Sequence, residues 1–239
     1  MTVAKDPRRV LVTGASRGLG LEFARQYLEA GHRVFALARE PLKSKKLMEL
    51  AARFSEALLP VTCDVADEES VKVARQEVEI ATGALDFLIN NAATYGREDE
   101  SLESLDWEEV RRVLEVNTLG PLRVSRAFLP LMRRGVRPRL VHITSGMGSV
   151  GDNRTGGHWS YRISKAALHM ANRNLALELE KDRIACVVLS PGWVRTDMGG
   201  PEAPLSPEES VASLVKTIES LTLAHSGNFY QRDGAPGIW

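Results

Sequence analysis

The chain has 239 residues, 44% of them hydrophobic, enough to bury the sheet of one large α/β domain spanning 1–239. Lys plus Arg and Asp plus Glu balance at 31 each, so no global field favours nucleic acid or an anionic membrane. No apolar stretch approaches the roughly 18 residues of a membrane span, and Lys5, Asp6, Arg8 and Arg9 lead into no apolar signal segment, so a cytoplasmic location is expected.

Val10 to Gly20, V-L-V-T-G-A-S-R-G-L-G, reads as a buried strand, a glycine turn and a helix from about Leu19 to Ala30. Gly14 lets the chain turn sharply, while Gly18 and Gly20 let backbone approach a pyrophosphate and let the helix pack on the strand. Free N–H groups and the positive dipole end at that helix start suit a diphosphate. The spacing G-x-x-x-G-x-G departs from the common dinucleotide fingerprint, so an ordinary glycine loop remains the alternative here.

Gly31 ends the helix, and His32 to Ala38 reads as a second buried strand. Pro41 to Ser55 carries a helical apolar pattern on a basic background, with Lys43 to Lys46 read as a solvated helix end; Leu58 to Cys63 is strand three. Asp67 opens a helix running to about Thr82, closed by Gly83. Leu85 to Ile89 is strand four, followed by Asn90-Asn91-Ala92-Ala93 and a polar surface loop. Asp106 with Glu109 is an N-cap signature for a long helix to about Arg134, bent near Gly120-Pro121.

Leu140 to Thr144 is strand five, Ser145 to His158 a glycine-rich loop, Trp159 to Leu179 a helix and Ile184 to Leu189 strand six. A glycine- and proline-rich loop, 192–206, should cover a substrate, and Trp193, Met198 and Leu205 in it hint at an apolar ligand. Ser206-Pro207-Glu208-Glu209 opens a last helix ending near Leu223, and Gly227 to Gln231 adds a short edge strand. Cys63 and Cys186 sit in apolar runs and read as buried reduced thiols. Neither they nor the histidines have ligand spacing, so no metal is expected.

Alternating strands and helices predict a Rossmann-type, doubly wound parallel sheet of order 3-2-1-4-5-6, with a possible seventh strand and helices on both faces. The glycine loop, Asn90-Asn91, Ser145 and Pro191-Gly192 then all lie at carboxyl ends of strands and converge on one crevice. Tyr161 and Lys165, at i and i+4, put a phenol beside an ammonium on one helix face. An adjacent cation favours the phenolate and makes Tyr161 a plausible general acid–base; a solvated surface pair is the alternative. Ser145 can hydrogen-bond a carbonyl oxygen that Tyr161 protonates, or is an ordinary loop serine. Asn117 stands mid-helix, where an amide has poor propensity, as a functional or a packing residue.

Together T-G-A-S-R-G-L-G (Thr13 to Gly20), N-N-A-A (Asn90 to Ala93), Asn117, Ser145, Y-R-I-S-K (Tyr161 to Lys165) and P-G-W-V-R-T (Pro191 to Thr196) resemble the short-chain dehydrogenase/reductase family over almost the whole chain. The match is closest to the branch holding the sniffer-type carbonyl reductases and the bacterial C-factor: the long Ser145-to-Tyr161 interval with Gly156-Gly157, D-M-G-G-P (Asp197 to Pro201) and the terminal Pro-x-Trp carry it. The resemblance implies hydride transfer between a nicotinamide cofactor and a carbonyl or alcohol. By it, Tyr161 is the proton donor, Lys165 lowers its pKa and holds the ribose hydroxyls, Ser145 orients the substrate oxygen and Asn117 holds a water of the proton relay. Ser16, Arg17 and Leu19 join Gly14, Gly18 and Gly20 in the cofactor loop. Asp64 and Val65 meet the adenine, Asn91 and Ala92 the adenine-side ribose, Thr196 the pyrophosphate or carboxamide, and Pro191 and Gly192 line the same crevice. Ala93 stands where the family usually has glycine, which puts the local backbone angle in question. The resemblance also implies a homodimer or homotetramer paired through the helices around Asn117 and Tyr161.

An NAD-preferring site places an acid at the end of strand two, where this chain reads Ala38-Arg39. Arg39 and Arg17 can clamp a 2′-phosphate, so NADP(H) is expected over NAD(H), unless Arg39 is simply solvated. The function read here is NADPH-dependent reduction of a ketone or aldehyde. The alternative is a C-factor-like signalling or regulatory protein that binds NAD(P) with little or no turnover.

Overall fold

The computed structural model describes residues 6–98 and 100–239. Seven parallel strands stand in the order β3-β2-β1-β4-β5-β6-β7: β1 Arg9–Thr13, β2 Arg33–Ala38, β3 Leu58–Thr62, β4 Phe87–Asn90, β5 Arg139–Ile143, β6 Ala185–Ser190 and β7 Phe229–Gln231. The predicted edge strand is therefore present, beside β6. Helices α1 (Gly18–Glu29), α2 (Lys45–Arg53), α3 (Glu68–Ala81), α4 (Trp107–Leu114), α5 (Gly120–Met132), α6 (Trp159–Glu178) and α7 (Pro207–Ser220) cover its two faces.

Strand alternation sorts the core into two layers. Val10, Val12, Phe87, Ile89 and Val141 meet Phe23 and Tyr27 of α1, Leu47 of α2 and Leu214 of α7. Leu11, Leu88 and Leu140 meet Val71 and Val78 of α3, Phe128 of α5 and Ala176 of α6 on the other face. Because both faces are covered, the strands read as continuous apolar runs. At the end of the sheet opposite the crevice, buried Asp86 accepts from the main-chain N–H of Arg9 (2.8 Å) and Val136 (2.6 Å) and from the Arg9 guanidinium (2.8 and 2.9 Å), tying β1, β4 and the turn before β5.

Local signals act as chemistry requires. Asp67, Asp106 and Ser206 cap α3, α4 and α7 with their side chains, Ser206 within a full capping box with Glu209. The segment from Pro41 is a 3-10 turn, Pro41–Lys43, and then α2, capped by Ser44. The long helix differs from expectation. Its disturbance is a π turn, Glu115–Leu119, that precedes Gly120-Pro121: the Gly120 N–H reaches back five residues to the Glu115 carbonyl. Pro121 has no N–H to give the carbonyl of Asn117, four residues earlier, so the regular ladder cannot continue there. Cys63 and Cys186 are free and buried, and burial pushes both thiols up to about 12. Among the described residues no helix is long and apolar enough to cross a membrane.

Candidate active site

The carboxyl ends of β1 and β4 part where strand order reverses, and a cleft of about 880 Å³ opens above them. Its floor depends on missing side chains. A Cβ on Gly20 would lie 2.3 Å from the Gly14 carbonyl oxygen and 2.6 Å from Asn91 Nδ2, and one on Gly14, at φ +68°, would lie 2.8 Å from Ala92 Cα. Glycine at both positions lets α1 seat its amino end directly on the β1 and β4 loops. Thr13 and Asn91 stitch those loops together: Thr13 Oγ1 accepts from the N–H of Asn91 and of Ala92, both at 3.0 Å, and Asn91 Nδ2 donates to the Thr13 carbonyl at 2.9 Å. Ala93 is not among the residues of positive φ, so alanine stands there without backbone strain.

Gly14, Ser16, Arg17, Gly18, Leu19, Arg39, Asp64, Val65, Asn91, Ala92, Tyr161, Lys165, Pro191 and Thr196 all border the cleft. Gly20 lies beneath the loop rather than on its surface, and Gly192, at φ +78°, packs against Leu205. Arg17 faces Asp197 across the cleft at 3.4 Å, with both side chains about three-quarters exposed, and Arg39 makes no ion pair among the described residues. Lys46, Arg25 and Arg195 also border the cleft. The sequence reading took Lys46 as part of a solvated helix end and gave Arg25 and Arg195 no role in the site, because a solvated charge on a helix or loop has no spacing signature. For Lys46 the usable signal was Ser44, which caps α2 at Leu47 N–H and donates to the Ser16 carbonyl at 2.6 Å, drawing the α2 start to the glycine loop.

Tyr161 and Lys165 are buried, at 6% and 2% exposure, so the surface-pair alternative does not describe them. Lys165 Nζ donates to the Ile143 carbonyl at 3.0 Å and lies 5.6 Å from the Tyr161 ring centroid. Burial lowers the ammonium to about 8. Burial also pushes the Tyr161 phenol up; hydrogen bonding with Ser145 opposes this, and neighbouring Tyr95 adds to it. The direction is opposite to that predicted from the Tyr-Lys spacing, because desolvation of the phenolate outweighs the nearby cation. Ser145 follows β5 and caps the 3-10 turn Gly146–Gly148, accepting from Met147 N–H at 3.1 Å.

Asn117 is fully buried in the π turn behind this pair. Its Oδ1 accepts from Thr94 N–H at 2.8 Å, and its Nδ2 donates to the Thr94 carbonyl at 2.8 Å and to Ser164 Oγ at 3.0 Å. The side chain is thus spent on clamping the β4 loop to α6, while Pro121, four residues on, has no N–H to offer the Asn117 main-chain carbonyl. Loop 192–206 folds on itself: Trp193 Nε1 donates to the Gly199 carbonyl at 2.7 Å, and Arg195 donates to the Leu205, Ala203 and Pro204 carbonyls.

Residues 8–204 match the model of the family described as short chain dehydrogenase. The chain is 43% identical to C-signal of Myxococcus xanthus over 160 residues, 67% of this chain and 96% of that protein. It is 36% identical to the 1-hydroxy-2-glutathionyl-2-methyl-3-butene dehydrogenase of Rhodococcus sp. strain AD45, over 96% of this chain and 99% of that one. Among solved structures it is similar to the NADPH-bound carbonyl reductase from chicken fatty liver, with 34% identity and a TM-score of 0.90 over 98% of this chain and 99% of that chain. The carbonyl reductase Sniffer of Drosophila melanogaster has 32% identity and a TM-score of 0.93 over 98% and 100%. With the glycine cradle, the reversed strand order and the buried Tyr161–Lys165 pair, these likenesses establish that the chain belongs to the short-chain dehydrogenase family of oxidoreductases.

Proposed function

We propose that this protein is an NADPH-dependent carbonyl reductase acting on a ketone or aldehyde. The observation that carries the reading is that Tyr161, hydrogen-bonded to Ser145, and Lys165 border the same cleft as the glycine loop Gly14–Leu19. The cradle fits a dinucleotide: glycine backbone and the α1 amino end for the pyrophosphate, Asp64 and Val65 for the adenine, Asn91 and Ala92 for its ribose, Lys165 for the other ribose, and Pro191, Gly192 and Thr196 for the nicotinamide side. When bound, that cofactor supplies the hydride. Tyr161 delivers its proton to the substrate oxygen, and burial keeps the phenol in the protonated form this requires. Ser145 holds the same oxygen by a hydrogen bond. Lys165 presents its ammonium to the Tyr161 side chain as negative charge appears there, and the Asn117 carbonyl, to which Pro121 has no N–H to give, is the acceptor through which a water would resupply the proton. Loop 192–206 covers the substrate, with exposed Trp193 and Met198 offering apolar surface to it.

Arg39, exposed at the end of β2 and without an ion pair among the described residues, shares the cleft with Arg17 and Lys46 and supports NADPH over NADH. The NADPH-bound chicken reductase supports it as well. Calorimetric titration is expected to find NADPH bound at least about tenfold more tightly than NADH, and Arg39→Asp to erase the difference. Equal affinity in the wild type would refute the phosphate clamp, and no binding of either cofactor would refute the reductase. The reading implies a cytoplasmic enzyme, which two unpaired buried cysteines support.

The likeness to C-signal favours a second reading, a regulatory protein in which nucleotide binding matters more than turnover. Loss of cellular function in Gly14→Ala with function kept in Tyr161→Phe would select it.

A further inference from the structure

Tyr161 stands in the first turn of α6, as the third helical residue, where the leading N–H groups have no partner inside the helix. A helix start is ordinarily secured by its own N-cap side chain. Here the N-cap is His158, left-handed at φ 48°, which makes no side-chain cap bond, and it follows Gly156 and Gly157, both also at positive φ. The acceptor comes instead from the β4–α4 loop. Glu100, 7% exposed, accepts from Ser160 N–H through Oε2 at 2.8 Å and from the Ser160 hydroxyl through Oε1. Glu100 is sixty residues from Ser160 in sequence.

The same loop touches this helix start at two more points. Gly96, at φ +84°, runs within van der Waals reach of it, a Cβ there lying 3.6 Å from Ser160 Cβ, and the Tyr95 ring packs on the Tyr161 ring with centroids 4.6 Å apart. Asn117 in turn holds Thr94 by both its N–H and its carbonyl. The loop is anchored at one end by Asn117 and grips α6 at the other.

We propose that Glu100 is a positioning residue: it caps α6 from across the loop and so holds Tyr161 in register with Ser145. This rests on Tyr161 being the proton donor of the reductase. A carboxylate suits the place, since it meets two donors at once and faces the positive end of a 20-residue helix.

The test compares the wild type with Glu100→Ala and Glu100→Gln by NADPH titration, steady-state reduction of a carbonyl substrate, and hydrogen exchange of the peptide spanning residues 159–164. The glutamine variant keeps an oxygen for the Ser160 N–H and an NH2 group for the Ser160 hydroxyl. Glu100→Ala should speed exchange in that peptide roughly five- to thirty-fold, the effect of losing a cap. It should lower kcat about 10- to 100-fold through misplacement of the phenol, with NADPH Kd and KM within about twofold. Glu100→Gln should recover most of both. Unchanged kcat in Glu100→Ala, unchanged exchange, or a parallel loss of NADPH binding in both variants overturns the proposal. A wild type that binds NADPH but reduces no carbonyl overturns the catalytic reading on which it rests, and is told apart because the exchange arm still reports whether Glu100 holds α6.

Discussion

Lys165 is 2% exposed and spends one of its donors on the Ile143 carbonyl, yet it carries a charge that water would hold better. Its pKa is lowered from 10.5 to about 8 by burial. The folded-state value lies below the unfolded one, so the fold gains stability as the pH rises from about 8 to 10.5 and bears the full cost of the buried charge below about 8. That cost is about 3 kcal/mol at neutral pH. Lys165→Met removes it while leaving the Ile143 carbonyl unpaired, a penalty of about 1–3 kcal/mol. The variant is therefore expected to lose turnover with little net change in urea stability at pH 7, and to be less stable than wild type by about 1–3 kcal/mol at pH 10.5, where the wild type no longer carries the buried charge. A loss above about 3 kcal/mol at pH 7 would show that the ammonium stabilises the fold. The companion change Tyr161→Phe removes only the proton source, and stopped-flow reduction should slow about 10²- to 10⁴-fold with unaltered NADPH affinity.

The element on which the site stands is the junction of β1, the glycine loop and α1. Gly20 there has no room: a Cβ would overlap the Gly14 carbonyl at 2.3 Å, and that atom is backbone. Gly20→Ala must lift α1 off the sheet, costing about 1–3 kcal/mol of stability by denaturant melting. It should also weaken NADPH binding at least about tenfold, since each 1.4 kcal/mol of lost contact is that factor. Gly83, just past α3, has nothing within 4 Å of a Cβ and a φ outside the left-handed range, so Gly83→Ala should leave both properties within error or raise stability by about 0.4–1 kcal/mol. Equal effects at the two positions would show that the cradle is not a matter of close approach. The π turn Glu115–Leu119 was not legible in the same way. Pro121 advertised a break, but whether a helix kinks, ends or widens depends on what its freed carbonyls and side chains meet, and here Asn117 meets Thr94 and Ser164.

For the whole molecule, α6 carries a second apolar row that its sequence pattern cannot separate from the core row. Ile163, Met170 and Leu177, spaced seven apart and so on one side of the helix, are 43%, 64% and 59% exposed, and Leu119 at the neighbouring helix junction is 45% exposed. We expect this face to pair with a second copy of the chain. Sedimentation equilibrium of the wild type should give a dimer or tetramer, and Met170→Glu with Leu177→Glu a folded monomer. A monomeric wild type would sink the pairing.

The sequence by itself determined the alternation of strands and helices, from which the parallel order 3-2-1-4-5-6 follows, and it marked the glycine cradle and the Tyr161–Lys165 pair as candidates. Apolar runs of four to six residues, and helices opened by Asp67, Asp106 and Ser206, are local signals whose physics acts within a few residues. The tertiary structure decided what depends on contacts between distant segments. It buried Tyr161 and Lys165 and so moved the phenol's pKa against the direction that spacing suggested. It spent the Asn117 side chain on a loop, brought Lys46 to the cleft, and set Glu100 on a helix sixty residues away. Desolvation and long-range capping have no period in a sequence, because they arise only when the sheet has brought the strand ends together.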